Sequence, residues 1–189
     1  MRRMLLSGRT VHVSGGDGRL AAALARHGAQ IVGADGPVDA VVHLVTGDLE
    51  EHALADTTPA EWAERCDRPV LEAIDAAQAA HRRMAGRGGR VVFVVPSFGL
   101  TGAAGLTPLA TAAEGVRSLA KTAARQWGDD GITVSCVAQR LAGPVVALES
   151  LPEPTIDDVA ATIALLASEH AGAVTGATLV VDGGTVLVP

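Results

Sequence analysis

The sequence contains no tyrosine, and its aromatic side chains make up only 2% of 189 residues. A core must therefore be assembled from Val, Ile, Leu and Ala, whose small side chains let helices and sheet approach closely. Cysteine is nearly absent too. Cys66 and Cys136 stand alone, with no C-x-x-C and no Cys/His spacing, so buried reduced thiols are expected rather than a disulfide or a structural metal. Basic charge is not in excess: a formal charge of -6 and a pI near 5.4 oppose the electrostatic footprint of a nucleic-acid binder. No nucleic-acid partner is expected. Long apolar runs are also missing. The opening Met-Leu-Leu is far shorter than the apolar region of a secretory leader, and nothing later approaches membrane-spanning length, so a cytoplasmic protein with no membrane partner is expected.

What the chain does have is 48% hydrophobic residues, ample material for one core, and its length fits one domain spanning 1–189. Short apolar runs rich in β-branched residues occur at 10–14, 30–34, 40–45, 90–95, 132–137 and 177–181, as expected of strands buried on both faces. Helical patterns separate most of them. The alternation implies a Rossmann-like α/β fold: a doubly wound, mainly parallel sheet of about six strands with helices on both faces. A helix over 18–27 points Leu20, Ala23, Leu24 and Ala25 at the sheet and stops at Gly28. The segment 59–84 reads as a helix kinked or restarted at Pro69, which cannot donate a backbone hydrogen bond. Over 108–127, Leu109, Ala112, Val116, Leu119, Ala123 and Trp127 recur at helical spacing. In the last helix Thr155 and Asp158 form a capping-box-like pair ahead of Ile156, Val159, Ile163 and Leu166.

Residues 91–116 read VVFVVPSFGLTGAAGLTPLATAAEGV, an apolar strand that delivers Ser97, a glycine-bearing loop and a helix. This segment resembles the active-site region of short-chain dehydrogenases/reductases, and the tail VTGATLVVDGG resembles the family's last strand. The family's helix presents Y-x-x-x-K. Anchoring on Gly115 and Val116 puts Leu109 where the tyrosine belongs and Ala113 where the lysine belongs. Hydride chemistry of this family needs a phenol to move the substrate's hydroxyl proton and an ammonium to lower that phenol's pKa, and Leu and Ala supply neither. The family's active-site asparagine, counted from Trp62, falls at Pro69, so Ser97 alone survives of four positions. Glu114 follows the lost lysine position and points about 100° away around the helix, as a surface or interface carboxylate would.

The resemblance also implies a nucleotide site. TVHVSGGDG at 10–18 is a strand, a glycine turn and a helix start, so Gly15, Gly16 and Gly18 are candidate phosphate contacts. The turn is about four residues shorter than the family's, and Asp17 puts negative charge where a pyrophosphate would rest. Asp35, 20 residues after Gly15, stands where an acidic residue contacts a ribose in NAD-binding folds. The plainer alternative is a tight turn with Asp35 in a solvated loop. Residues 34–37 lead almost directly into the next strand, so the third strand/helix unit, part of the adenine pocket, is missing. The substrate lid after Val137 is shortened, with Gln139 and Arg140 in place of the family's Pro-Gly. No bound cofactor is expected, beyond weak or vestigial NAD(H).

Ser14, Asp35, His43, Ser97 and Gln139 are expected along the carboxyl edge of the sheet. His43 and Ser97 are the candidate catalytic groups, able as a pair to polarise a carbonyl or shuttle a proton; alternatively each simply closes a strand end. Three functions are consistent with these residues. The first is a non-catalytic subunit that assembles with itself or with a complete reductase through the helices 59–84 and 108–127, using the face of Ala112, Ala113, Ala120, Ala123 and Ala124. The second is a non-redox enzyme, such as a dehydratase, cyclase or isomerase acting on a carbonyl compound, with Ser97 holding an oxyanion and His43 as base. The third, an NAD-dependent oxidoreductase with an atypical acid, ranks last.

Overall fold

A computed structural model describes residues 4–141 and 153–187. Six parallel strands form one sheet in the order β2-β1-β3-β4-β5-β6: β1 Thr10–Ser14, β2 Gln30–Ile31, β3 Ala40–Leu44, β4 Gly89–Pro96, β5 Ile132–Gln139 and β6 Thr178–Val181. The helices between them are α1 Arg19–Arg26, α2 Pro59–Trp62, α3 Arg68–Met84, α4 Thr107–Gln126 and α5 Ile156–Ala167. The doubly wound expectation is met, and period-two alternation along the strands explains how both faces are covered. Val41, Val91, Phe93, Val95, Val134 and Cys136 pack towards α3 and α4, whereas Val11, Val42, Val92, Val94 and Val137 pack towards α1 and α5. Both cysteines are free and buried, and burial pushes the Cys136 thiol up to about 12.

Local chemistry sets the helix ends. Gly28, at φ 93°, ends α1, and the paired bonds from its N–H to Ala25 O (2.9 Å) and from Ala29 N–H to Leu24 O (3.2 Å) complete a Schellman turn. Leu20, Ala23 and Leu24 face the sheet as expected, but Ala25 is exposed, one residue past the buried stripe. The Thr155–Asp158 capping box is present in full. At Pro69 the chain does not break. A π-helical turn, Ala63–Asp67, absorbs the missing N–H, and α3 restarts at Arg68 with the proline in its first turn. In α4, Ala112, Ala113, Ala120, Ala123 and Ala124 are all buried in the chain itself, so this alanine face is not a free assembly surface. No helix among the described residues is long and apolar enough to cross a membrane.

The edge at β2 departs most from expectation. Only Gln30–Ile31 forms a strand, because β2 and β3 flank β1 on opposite sides and residues 32–39 must carry the chain from one to the other. Eight residues reach at most about 29 Å, so a longer β2 would leave too little chain for the return. No strand or helix intervenes there, and the sheet ends at β2. Arg83 of α3 pins the connection by donating to Gly36 O (2.7 Å), Gly33 O (2.9 Å) and Asp35 O (3.4 Å). The lid segment after Leu141 lies largely outside the described residues.

Asp39 ties the entry of β3 to β1. Its Oδ2 accepts from Thr10 N–H (2.8 Å) and Thr10 Oγ1 (2.9 Å), while its own N–H donates to Thr10 Oγ1 (3.1 Å). Burial raises the Asp39 carboxyl, but the Thr10 bonds and the charges of Arg9 and Arg87 outweigh it, leaving the group below its ordinary 3.8. A depressed carboxylate stabilises the fold at neutral pH, and this contribution disappears as pH falls through the folded pKa. Asp39→Asn should therefore cost about 1–2 kcal/mol at pH 7. Denaturant melts of both proteins should converge below pH 3.8; a gap that persists there would mean the carboxylate charge is not what matters.

Candidate functional site

The glycine turn folds as its spacing suggests, with Gly15, Gly16 and Gly18 all at positive φ (76°, 73° and 84°). Gly15 has a second reason to be glycine, since a methyl group added there would lie 2.3 Å from Leu44 O. The turn borders a cavity of about 610 Å³, shared with Leu44, Thr46, Gln139, Arg140, Glu153 and Thr155. Along its exposed lining, Asp17 Oδ1 accepts from Arg19 N–H at 3.2 Å, and Arg19 Nε pairs with Asp17 Oδ2 at 2.7 Å. That backbone hydrogen bond holds the Asp17 carboxyl below its ordinary value. The start of α1, where exposed N–H groups would otherwise attract phosphate, thus already carries an internal anion. Asp35 is exposed in the loop after β2, with its backbone carbonyl held by Arg83. These residues make a poor fit to a dinucleotide: Asp17 opposes the pyrophosphate, and among the described residues no strand extends the sheet beyond β2 to wall an adenine.

Leu109 and Ala113 are buried, at 2% and 0% exposure. The loop after β3 and the 3-10 turn after β4 pack closely against them. A methyl group at Gly47 would come within 2.7 Å of Leu109 Cδ1, and one at Gly99 within 2.9 Å of Ala113 Cβ. Glu114 is half-exposed and ion-paired with Arg117, while its Oε1 is buried without a partner. Its outward, paired placement agrees with the surface-carboxylate expectation.

Ser97 and His43 are not brought together. Ser97 is buried at 4% exposure and opens the 3-10 turn Ser97–Leu100. His43 sits opposite Phe93 in the β3–β4 register, four residues before Ser97, or about 13 Å along the strand. Its partner is instead Ser14, the neighbour across β1–β3, with Oγ 3.0 Å from Nδ1. Cross-strand register could have suggested this pair once the β1–β3 adjacency was known. His43 is 5% exposed and meets Phe93 edge-on at 6.2 Å. Its Nε2 has no hydrogen-bond partner among the described residues.

One constellation was not anticipated. Asp48, Glu50 and His52 bring ligand atoms within 4.8 Å of one another, but Arg65 Nη2 lies 2.5 Å from Asp48 Oδ2 and 2.6 Å from His52 Nε2. A guanidinium already supplies the cation.

Burial depresses the His43 pKa below 6.5, with the charge of Glu72 opposing weakly. A histidine buried neutral leaves the unfolded state binding more protons, so its contribution is complete above 6.5 and is lost as pH falls from there towards the folded pKa. His43→Leu should flatten the acid side of the stability curve below pH 6.5. Melting temperatures from pH 7.5 to 5 test this; parallel curves for the two proteins would remove His43 as the cause.

Comparison with known proteins accounts for this architecture. A family model described as enoyl-(acyl carrier protein) reductase matches residues 10–150. Nodulation protein G of Azospirillum brasilense is 30% identical over 79% of this chain and 66% of its own length. The (2S)-[(R)-hydroxy(phenyl)methyl]succinyl-CoA dehydrogenase subunit BbsD of Thauera aromatica is 32% identical over 82% of this chain and 68% of its own. The chain thus spans about two thirds of the length of these relatives. Among solved structures, a Sinorhizobium meliloti 1021 protein assigned as a short-chain alcohol dehydrogenase superposes with a TM-score of 0.80, at 20% identity over 97% of this chain and 98% of that one, a likeness of fold. A parallel sheet in this strand order, a glycine turn after its first strand and a family match over residues 10–150 place the chain in the short-chain dehydrogenase/reductase family.

Proposed function

We propose that this chain is a member of its family without hydride-transfer activity, acting as a subunit that assembles with itself or with a catalytically complete relative. The observation that carries the reading is the tight packing at Leu109 and Ala113: a methyl group added at Gly47 or Gly99 would come within 2.7 Å of Leu109 Cδ1 or 2.9 Å of Ala113 Cβ, so a larger side chain at 109 or 113 meets space already filled. A tyrosine at 109 overfills a closed site, at about 1–3 kcal/mol, and a lysine at 113 buries an unpaired charge. The chain's own residues offer no other phenol. Weak NAD(H) binding follows from Asp17 at the start of α1 and from the sheet edge at β2. The proton-transfer alternative, with Ser97 holding an oxyanion and His43 as base, is less favoured, because His43 Nδ1 is already bonded to Ser14.

The buried alanines of α4 serve this chain's own core, so assembly would use the outward faces. On α3 Leu71 is 59% exposed. On α4 four of the exposed positions, Thr111, Gly115, Ser118 and Thr122, are small and recur at helical spacing beside the exposed Lys121, Arg125 and Gln126, and such a small-residue stripe permits close approach of a second helix. Gly115 has room for a side chain, the nearest atom to an added methyl being Val70 Cγ2 at 3.6 Å.

Two experiments test the proposal. Leu109→Tyr combined with Ala113→Lys should lower the melting temperature and yield no NAD(P)H-dependent reduction of a carbonyl panel; turnover by this variant would show that the site is open. Co-expression with a complete reductase encoded nearby, followed by light scattering of the tagged chain, should give a defined oligomer of the chain alone or of both chains. Gly115→Arg should dissociate it without loss of fold. A monomer under all conditions would overturn the assembly reading.

A further inference from the structure

On the face of the sheet opposite the glycine turn, a cavity of about 300 Å³ lies between α3 and strands β1 and β3. It shares no lining residue with the glycine-turn cavity. It exists because the connection 32–39 carries no helix to cover this part of the sheet, and Ala34, held in place through Arg83, forms one of its walls. Val41, Ala76, Ala79 and Ala80 make most of the rest apolar.

One polar side chain is left unexplained there. His43 lines the cavity, is 5% exposed, and has its Nδ1 fixed by Ser14. Its Nε2 is buried with no partner, a state that costs a protein free energy unless something else completes the bond. We propose that this groove binds a small neutral molecule with an apolar body and one hydroxyl group, the hydroxyl bonding to His43 Nε2 after a small shift of the ring or of the groove walls, since that atom has almost no free surface of its own. A hydroxyl both donates and accepts, so it satisfies Nε2 in either tautomer of the ring.

Charge excludes anions. Glu72 and Asp75 line the same cavity, and its cation, Arg83, is committed to the carbonyls of residues 33, 35 and 36. The volume excludes a docked helix, whose diameter with side chains is about 10–12 Å, and is at the lower end for small-molecule sites. Water is a poor occupant of the apolar part, because an internal water wants about three polar partners and Val41, Ala76, Ala79 and Ala80 offer no polar side chain. The site shares helix α3 with the proposed assembly surface, but neither Leu71 nor any residue of α4 lines it, and it owes nothing to the Leu109–Ala113 region.

The probes are 2-naphthol, naphthalene and 2-naphthoate, titrated against the full chain with detection of imidazole ¹⁵N shifts. The expected result is a shift of the His43 Nε2 resonance by 2-naphthol, with about tenfold tighter binding than naphthalene and weaker binding still for 2-naphthoate. His43→Leu should reduce 2-naphthol to the affinity of naphthalene. Ala79→Phe should abolish binding of both by filling the groove, and Ala76→Leu serves the same end if Ala79→Phe lowers the melting temperature. Absence of binding by all three probes overturns the proposal. So does 2-naphthol binding that survives the groove-filling variants, or a preference over naphthalene that survives His43→Leu.

Discussion

The short connection between β2 and β3 is the constraint on which most of this molecule's individuality rests. With residues 32–39 alone to pass β1 and return to the start of β3, the chain can form only Gln30–Ile31 as a strand. The sheet therefore stops there, and the face of β1 beyond α3 has no helix of its own. Arg83, reaching from the last turn of α3, substitutes for that missing support by taking the carbonyls of the connection. The cavity beside His43, the exposure of Asp35 and the lack of a wall for an adenine all descend from the same few residues.

Close packing of small side chains has the opposite effect at the other end of the sheet. With alanine at most of its inward positions, α4 can sit tightly on β4 and β5, and those alanines are consumed in doing so. Gly47, in the loop after β3, and Gly99, in the 3-10 turn after β4, pack against Leu109 and Ala113. The glycine turn shows the same inward economy: Asp17 bonds to the start of α1, so the helix terminus is satisfied from within.

Elements whose signal is local were legible in the sequence. The β1 run, the Gly28 stop, the Thr155–Asp158 cap and the inward set Val159, Ile163 and Leu166 all follow from spacing and turn chemistry. Pro69 announced an irregularity, but not that a π-helical turn would absorb it, since a π turn depends on how the helix is held against its neighbours. How His43 and Ser97 sit relative to one another was hidden for a related reason. Both are close to strand ends in sequence, but which residues meet is fixed by register, and register placed Ser14 beside His43. The alanine face of α4 was read correctly as a packing surface and assigned to the wrong partner, because periodicity identifies a buried stripe without saying what buries it.

A sheet edge is ordinarily a template on which another strand can build, through its row of unpaired N–H and C=O groups. Here the β2 edge is two residues long, and beyond it three backbone carbonyls are already taken by Arg83. That guanidinium acts as a stopper on edge-to-edge growth. It leaves this side of the molecule unsuited to strand addition, so any growth of the assembly there must proceed by side-chain contacts alone.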